Sequence, residues 1–249
     1  MTIIGRHALI TGGGTGIGRA IALALADAGV AVTICGRRRA MLDAVVHSNI
    51  HGIPADVTDP ASLSALYCEA QAARGAIDIV VANAGTATSA PFAKIDVAAW
   101  NANLAVNLTG AFLTVQPALP AMIAAGSGRI VFIASTAGLR GYPYVAPYVA
   151  AKHGVIGLMR ALALEAAKSG VTINAVCPGF AETEMLGRSL DAIMAKTGRS
   201  EAEARASLAN PQGRFVTPEE VAAAVLWLVD AAAASVTGQA ISVSGGETW

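Results

Sequence analysis

A tyrosine and a lysine lie four residues apart in the segment APYVAAKHG, residues 146–154. On a helix this spacing puts Tyr148 and Lys152 on one face, one turn apart. A phenol with its ordinary pKa of about 10 is a poor base at neutral pH, but a fixed ammonium nearby favours the phenolate. We therefore expect Lys152 to lower the pKa of Tyr148. Such a phenol can give a proton to a carbonyl oxygen, or take one from an alcohol, as a hydride moves.

A serine stands where it can support this pair. Ser135 ends the apolar run RIVFIAS, residues 129–135, thirteen residues before Tyr148. In a parallel α/β sheet, the end of a strand and the first turns of the next helix face the same crevice. A hydroxyl at this place can bond a substrate oxygen and stabilise its developing charge. The alternative is that Ser135 only forms a turn at the end of the strand.

Short apolar runs alternate with helical patterns along the whole chain. Seven runs are rich in β-branched residues: 7–11, 30–35, 52–55, 77–82, 129–135, 171–177 and 240–244. Their lack of polar alternation is typical of strands that are buried on both faces. The pattern predicts a single α/β domain over residues 1–249, built on a doubly wound parallel sheet of about seven strands with helices on both faces. Ligands then bind at the carboxyl ends of the strands.

One segment interrupts the alternation. Residues 180–215 are more polar and follow the carboxyl end of the sixth predicted strand. We expect short helices here rather than core elements. A long insertion at this end of the sheet is a candidate substrate lid, and the alternative is a surface excursion without function.

The first strand leads into the glycine-rich segment TGGGTGIG, residues 11–18. Glycines permit a tight turn, the close approach of a ligand and close packing of the next helix, whose N-terminus favours a pyrophosphate. The strand before and the amphipathic helix after supply the context that this motif needs. The candidate cofactor contacts are Gly12, Thr15, Gly16, Ile17 and Gly18.

The residues after the second strand bear on the choice of cofactor. In dinucleotide folds an acid near this point accepts hydrogen bonds from the ribose 2′-hydroxyl. Here Gly36 occupies that place, and Arg37 and Arg38 follow. Arginines attract a 2′-phosphate that a carboxylate would repel. The sequence therefore favours NADP(H), with NAD(H) as the alternative, whereas Arg39 is expected to be a solvated helix residue.

The third and fourth strands end in further candidate contacts. Asp56, followed by Val57, can accept from an adenine amino group or can cap a helix, whereas Asp59, before a proline, is more clearly a cap. The fourth strand ends in Asn83, Ala84 and Gly85. This turn of small residues can pass under the cofactor ribose or can simply brace the sheet.

Composition excludes several other classes. Lys plus Arg and Asp plus Glu each number 17, so no basic field attracts nucleic acid or an anionic membrane.

We see neither a signal peptide nor a membrane span, and an odd cysteine count without CxxC favours a reducing compartment, so a cytoplasmic location is expected. No metal site is predicted, because His47 and His51 have no acid at ligand spacing. The low charge content and the terminal Trp249 favour an oligomer.

Taken together, these motifs resemble the short-chain dehydrogenase/reductase family over nearly the whole chain, which implies a Rossmann fold. The resemblance implies that Asn107, in NLAVNLTGAF, completes a catalytic set with Ser135, Tyr148 and Lys152 and relays protons through water to the lysine. The residues alone would not favour Asn107 over Asn103. The family's PGxxxT pattern matches Pro178, Gly179 and Thr183, which implies contacts with the nicotinamide. Tyr148 and Lys152 are also implied to contact the cofactor.

A finer resemblance, to 3-oxoacyl thioester reductases and polyketide ketoreductases of this family, runs through residues 135–158, 171–185 and 213–228. It implies a β-keto acyl substrate. Together with the arginines after the second strand, this predicts an NADP(H)-dependent oxidoreductase that interconverts a ketone and a secondary alcohol, by reducing a 3-oxoacyl thioester carried by CoA or a carrier protein. Arg140 and Arg188 could then meet a phosphate of the carrier, although surface ion pairs are the simpler interpretation. Family members are commonly homotetramers. The alternatives are a dehydrogenase of a small free ketone, sugar or cyclic alcohol, and a non-catalytic regulator that senses the dinucleotide.

Overall fold

A computed structural model describes residue 3 and residues 7–248 of the chain. Within that part, seven strands form one sheet: β1 His7–Thr11, β2 Ala31–Gly36, β3 Ile50–Pro54, β4 Ile79–Ala82, β5 Gly128–Ile133, β6 Val171–Pro178 and β7 Ala240–Val243. All seven predicted strands are present. The observed bounds differ from the predicted ones by up to two residues at either end.

The strand order places a crevice in the middle of the sheet. Neighbouring strands follow the order β3-β2-β1-β4-β5-β6-β7, and all pairs are parallel. The chain runs outward from β1 to β3 and then returns to the other side of β1. This reversal opens the switch-point crevice between the carboxyl ends of β1 and β4, where such folds bind ligands. The predicted doubly wound parallel fold is confirmed.

Helices cover both faces of the sheet. They are α1 Gly16–Asp27, α2 Arg39–Asp43, α3 Pro60–Arg74, α4 Val97–Leu104, α5 Gly110–Val115, α6 Leu119–Ala125, α7 Ala146–Glu165, α8 Glu184–Thr197, α9 Glu201–Leu208 and α10 Pro218–Val229. Leu66 of α3 and Met159 of α7 belong to the core on one face. Ile21 of α1 and Val225 of α10 belong to the core on the other face. These two apolar layers hold the strands in place between the helices. They therefore position the carboxyl ends of the strands, where the site lies.

Residues 180–215 form a small unit outside these two layers. It contains α8 and α9, which pack together through Leu186, Leu190 and Ala204, with Phe215 beside them. A capping box at Ser200 and Glu203 starts α9. The expectation of helices with a separate small core is met, and α9 is short, but α8 with 14 residues is not.

A π-helical turn interrupts the long helical stretch that runs from α4 to α6. It covers Ala105–Thr109, between α4 and α5. By length and composition alone, Val97–Ala125 could cross a membrane. Ala111 and Val115 nevertheless lie in the core beside the sheet, so we interpret this stretch as a core helix of the fold.

A buried histidine, His7, lies at the start of β1. The Nδ1 of His7 donates to the carbonyl oxygen of Gly75 at 3.0 Å, and its Nε2 lies 2.8 Å from the Thr33 hydroxyl. Burial lowers the pKa of His7 from its ordinary 6.5, and nearby Arg74 lowers it further, against the opposing effects of the Gly75 bond and Asp78. The folded chain therefore binds this proton less readily than the unfolded chain does.

We expect the free energy of unfolding to decrease as the pH falls below about 6.5, because protons then bind the unfolded state preferentially. Urea unfolding at a series of pH values measures this, and His7→Asn should show a smaller decrease. The same substitution at the exposed His153 is the control. An unchanged pH dependence in His7→Asn would refute the assignment.

Candidate active site

Ser135 lies just beyond β5, where it begins a short 3-10 helix. Its hydroxyl oxygen accepts from the backbone N–H of Ala137 at 3.1 Å. It also lies near the hydroxyl of Tyr148, close enough to lower the pKa of that phenol. The serine therefore forms the turn that was considered as its alternative role, and it contacts the tyrosine as well.

Tyr148 and Lys152 lie on α7, which begins with Pro147 in its first turn, a favourable place for a proline. The Nζ of Lys152 is 5.6 Å from the centre of the Tyr148 ring and donates to the carbonyl oxygen of Ile133 at 2.8 Å. Only 4% of Lys152 is exposed, whereas Tyr148 is half-buried. The predicted pair is thus brought together at the carboxyl end of β5.

The direction of the Tyr148 pKa differs from the sequence expectation. Burial raises the pKa of Tyr148, and the hydrogen bond with Ser135 opposes that rise only in part. Burial also lowers the pKa of Lys152 to about 8. The lysine hydrogen-bonds a backbone carbonyl, and burial is the largest influence on the pKa of the phenol. The prediction of a lowered Tyr148 pKa is therefore wrong for the protein alone, and its phenol is protonated at neutral pH.

Asn107 lies in the π-helical turn and faces Lys152 across Gly85. Its Nδ2 donates to the carbonyl oxygens of Thr86 at 2.8 Å and Asn103 at 3.0 Å, and its Oδ1 accepts from the Thr86 N–H at 3.1 Å. A Cβ added at Gly85 would lie 2.9 Å from Asn107 Oδ1 and 3.7 Å from Lys152 Nζ. Glycine therefore keeps open the space between the amide and the ammonium.

The glycine turn at the end of β1 packs closely against the end of β4. Gly12 and Gly16 have positive φ angles of 66° and 49°. A Cβ at Gly18 would lie 2.3 Å from the Gly12 oxygen and 2.4 Å from Asn83 Nδ2. Only glycine fits at this position, as expected for a turn that a ligand's phosphates approach. Thr15 and Ile17 lie on either side of Gly16, at the start of α1.

Asn83 and Ala84 brace this turn. Their backbone N–H groups both donate to the Thr11 hydroxyl at 3.1 Å, and Asn83 Nδ2 donates to the Thr11 carbonyl oxygen at 2.8 Å. The structure thus gives this segment the bracing role that was one of its two interpretations. Its cofactor contact stays a prediction.

The arginines after β2 are exposed at the rim of the crevice. Arg38 lies 3.7 Å from the Glu184 carboxylate, across the crevice at the start of α8. Arg39 forms an ion pair with Asp43 at 2.9 Å within α2, as expected for a solvated helix residue. A Cβ at Gly36 would meet only Leu42, at 3.7 Å. The position therefore has room for a larger side chain.

Asp56 does not cap α3. Its carboxylate accepts from the Thr58 N–H at 2.9 Å and from the Thr58 hydroxyl at 2.8 Å, and chiefly these bonds lower its pKa. Asp59 supplies the cap, as predicted. Val57 is buried, and a Cβ at Gly110 would lie 2.8 Å from its side chain.

The chain leaves the sheet at Pro178, the last residue of β6. The N–H of Gly179 donates to the carbonyl oxygen of Val243 at 3.0 Å, and Thr183 caps α8 through the N–H of Leu186. A Cβ at Gly16 would lie 3.1 Å from the Thr183 methyl group. The start of α8 therefore lies against the glycine turn.

A cavity of about 590 Å³ lies between the glycine turn and the helices α8 and α9. Gly16, Thr183 and Leu190 line it, whereas Ser135 and Tyr148 do not. It adjoins the candidate phosphate site on the side of the predicted lid.

One polar wall of the site was missed by the sequence analysis. The Tyr142 hydroxyl donates to the Glu247 carboxylate, and its oxygen accepts from the Thr136 hydroxyl at 2.7 Å. The Arg140 guanidinium lies 4.9 Å from the Tyr142 ring centre. Thr136 follows Ser135 directly, which was the only available signal, because Glu247 is distant in sequence.

The histidines and Arg188, which the sequence analysis also considered, form other contacts. His47 is paired with Asp27 and His51 with Glu69, and His153 bonds the Val149 carbonyl oxygen on the exposed side of α7. Arg188 lies 4.0 Å from Glu184, as expected for a surface ion pair.

The parallel α/β sheet has a glycine turn at its switch point and a Ser–Tyr–Lys group at the end of β5, two strands away. This is the architecture of a dinucleotide-dependent oxidoreductase. Comparison with known proteins agrees with this class. The family model described as short chain dehydrogenase matches residues 6–193. The chain belongs to this family and is an oxidoreductase. The family uses NAD(P)(H).

Three similar proteins cover almost the whole chain. A ketoacyl reductase of the granaticin polyketide synthase from Streptomyces violaceoruber is 42% identical over 96% of this chain and 92% of its own length. D-beta-hydroxybutyrate dehydrogenase from Rhizobium meliloti is 36% identical over 98% of each chain. A variant of actinorhodin polyketide ketoreductase solved with NADPH has a TM-score of 0.94, with 37% identity over 98% of this chain and 97% of that one.

Proposed function

We propose that the protein uses NADPH to reduce a 3-oxoacyl thioester to the 3-hydroxyacyl form. The observation that carries the proposal is the placement of Ser135, Tyr148 and Lys152 side by side at the carboxyl end of β5, two strands from the glycine turn. The 42% identity to a ketoacyl reductase supports the substrate class. When bound, the cofactor supplies the hydride.

The side chains supply the proton in this proposal. The Ser135 hydroxyl donates to the carbonyl oxygen of the substrate and holds it beside Tyr148. The Tyr148 phenol, protonated at neutral pH because burial raises its pKa, gives its proton to that oxygen. The buried ammonium of Lys152 stabilises the phenolate that remains. Asn107, across the gap at Gly85, directs water towards Lys152.

The residues of the crevice fit a dinucleotide. Gly12, Gly16 and Gly18 have no side chain, so a pyrophosphate can approach the backbone of the turn closely. Arg37 and Arg38 are exposed and suit a 2′-phosphate. Further candidate contacts come from the ends of β3, β4 and β6, from the start of α1, and from α7: Thr15, Ile17, Asp56, Val57, Asn83, Ala84, Gly85, Tyr148, Lys152, Pro178, Gly179 and Thr183. The helices α8 and α9 close over the substrate as a lid.

Gly36 and the arginines after β2 predict a preference for NADPH over NADH. NADPH should bind at least about tenfold more tightly than NADH, a difference of about 1.4 kcal/mol. Gly36→Asp combined with Arg37→Ala should reverse the order, because Gly36 has room for the carboxylate. Titration of each variant with both nucleotides measures the two dissociation constants.

Arg39→Ala is the matched control, since Arg39 is paired with Asp43, and it should leave the preference unchanged. Tighter binding of NADH by the unaltered protein would refute the role given to the arginines.

The substrate proposal is tested with a panel of acetoacetyl thioesters and free ketones, including acetoacetate. We expect the highest kcat/KM with thioesters. The second candidate is oxidation of a small free hydroxy acid, which the similarity to D-beta-hydroxybutyrate dehydrogenase favours. A higher kcat/KM for acetoacetate than for its thioesters would select the second candidate.

We also propose a cytoplasmic homotetramer. Cys35, Cys68 and Cys177 are free, in keeping with a reducing compartment. Phe112 on α5 and Leu164 on α7 are 41% and 80% exposed, which suits contacts between subunits. Trp249, which favoured an oligomer from the sequence, lies outside the described residues. Light scattering measures the mass in solution, and a monomer would exclude the tetramer.

A further inference from the structure

Asn103 is a buried amide in direct contact with Asn107. Only 3% of it is exposed. Its side-chain Oδ1 accepts from Asn107 Nδ2 at 3.0 Å, and its carbonyl oxygen accepts from the same nitrogen at 3.0 Å. Its own Nδ2 is buried without any hydrogen-bond partner among the described residues. An unpaired buried N–H group destabilises a fold and calls for a partner that lies outside the protein.

The amide orientation is fixed by this contact. Rotating the Asn103 amide by 180° would place its NH₂ group against the NH₂ group of Asn107, so that two donors would face each other. The unpaired group is therefore a donor, and its partner must be an acceptor. A buried water that accepts from Asn103 Nδ2 satisfies this requirement.

Asn103 lies on the helix between a solvent-exposed residue and the buried Asn107, so a water held there would lie between solvent and the site. Ala99, one turn before Asn103, is exposed, and Asn107, one turn after it, is buried. Asn107 borders the gap at Gly85 that reaches Lys152. The π-helical turn Ala105–Thr109 lies at this point, and such turns are frequent at functional sites. Asn103 is thus the polar side chain between the exposed end of α4 and the amide next to Lys152.

We propose that Asn103 is a positioning residue that holds a buried water and extends the proton path from Asn107 towards solvent. The inference rests on the proposed function. Each reduction moves one hydride to the carbonyl carbon and one proton from Tyr148 to the carbonyl oxygen. One proton must then return from solvent, through waters held by Asn103 and Asn107, to Lys152 and Tyr148.

Asn103→Leu removes the donor at similar volume, and Asn101→Leu is the matched control on the exposed side of α4. Acid–base catalysis contributes about 10²–10⁴-fold in total, so loss of one group that holds a water should lower kcat about tenfold. The KM values for NADPH and for an acetoacetyl thioester should stay within about twofold, and the solvent deuterium isotope effect on kcat should increase. The control should match the wild type.

A merely structural role predicts a different pattern. An unchanged kcat, or a lower kcat with an unchanged solvent isotope effect, would overturn the proposal. If Asn103→Leu fails to fold, Asn103→Thr keeps a hydroxyl donor. The proposal expects Asn103→Thr to show a kcat within about threefold of wild type, and a tenfold loss would contradict it.

A readout without turnover separates this inference from the proposed function. A high-resolution crystal structure of the wild-type protein should show a water about 3 Å from Asn103 Nδ2. A dry site there would overturn the inference even in an active enzyme. Absence of carbonyl reduction by the wild type would refute the proposed function and would leave the water to be tested by the crystal structure.

Discussion

Tyr148→Phe is expected to lower kcat for carbonyl reduction by about 10²–10⁴-fold, because it removes the acid that protonates the carbonyl oxygen. The ring stays, so the position keeps its packing near Lys152 and the hydrophobic part of the side chain. The dissociation constant for NADPH should change by no more than about tenfold, since one lost hydrogen bond costs about 0.5–1.5 kcal/mol. Steady-state kinetics and nucleotide titration measure the two quantities.

The matched control is Tyr144→Phe, because Tyr144 is 63% exposed and lies just before α7. It should retain wild-type turnover. Equal turnover in Tyr148→Phe and the wild type would contradict the role of Tyr148 as the proton donor.

Gly18→Ala is expected to have the second large effect. The added Cβ would lie 2.3 Å from the Gly12 oxygen and 2.4 Å from Asn83 Nδ2, so the turn itself must move. Overpacking of this kind costs about 1–3 kcal/mol, which corresponds to roughly fivefold to more than 100-fold weaker binding if the strained turn is where the nucleotide binds. Both NADPH and NADH should be affected, because the contact lies at the shared pyrophosphate.

Gly157→Ala is the control for this substitution. A Cβ at Gly157 meets no atom within 4 Å, and the residue lies within α7. Alanine favours a helix, so stability should rise by about 0.5–1 kcal/mol with unchanged nucleotide affinity. Unchanged nucleotide binding in Gly18→Ala would show that the glycine turn does not hold the cofactor.

The elements of the fold could be predicted because their signals are local. Runs such as HALIT lack polar alternation and are bounded by turn residues, and they form β1 with the predicted bounds. The π-helical turn at Ala105–Thr109 could not be predicted in this way. It depends on tertiary contacts, among them the hydrogen bonds of Asn107 to Thr86, which is 21 residues away.

In the candidate site, too, features set by local sequence could be predicted, and features set by tertiary contacts could not. The spacing of Tyr148 and Lys152 predicted their proximity, because four residues make one helical turn. The direction of the Tyr148 pKa shift depends chiefly on burial, which is not visible in the sequence. The bond from Lys152 to the Ile133 carbonyl oxygen is not visible there either. The sequence alone also left Asn103 and Asn107 as equals. The structure brings both into one hydrogen-bonded pair beside the gap at Gly85.

The central claim is that the protein combines a hydride from NADPH with a proton from Tyr148 on one carbonyl group. The most direct measurement uses NADPH that carries two deuterium atoms at the reactive carbon of its nicotinamide ring. It follows the label into the product of acetoacetyl thioester reduction in ordinary water. The account predicts one deuterium on the new carbinol carbon for each NADPH consumed by the wild type, and almost none formed by Tyr148→Phe in the same time. A carbinol carbon without label, or equal labelled product from the two proteins, would contradict it.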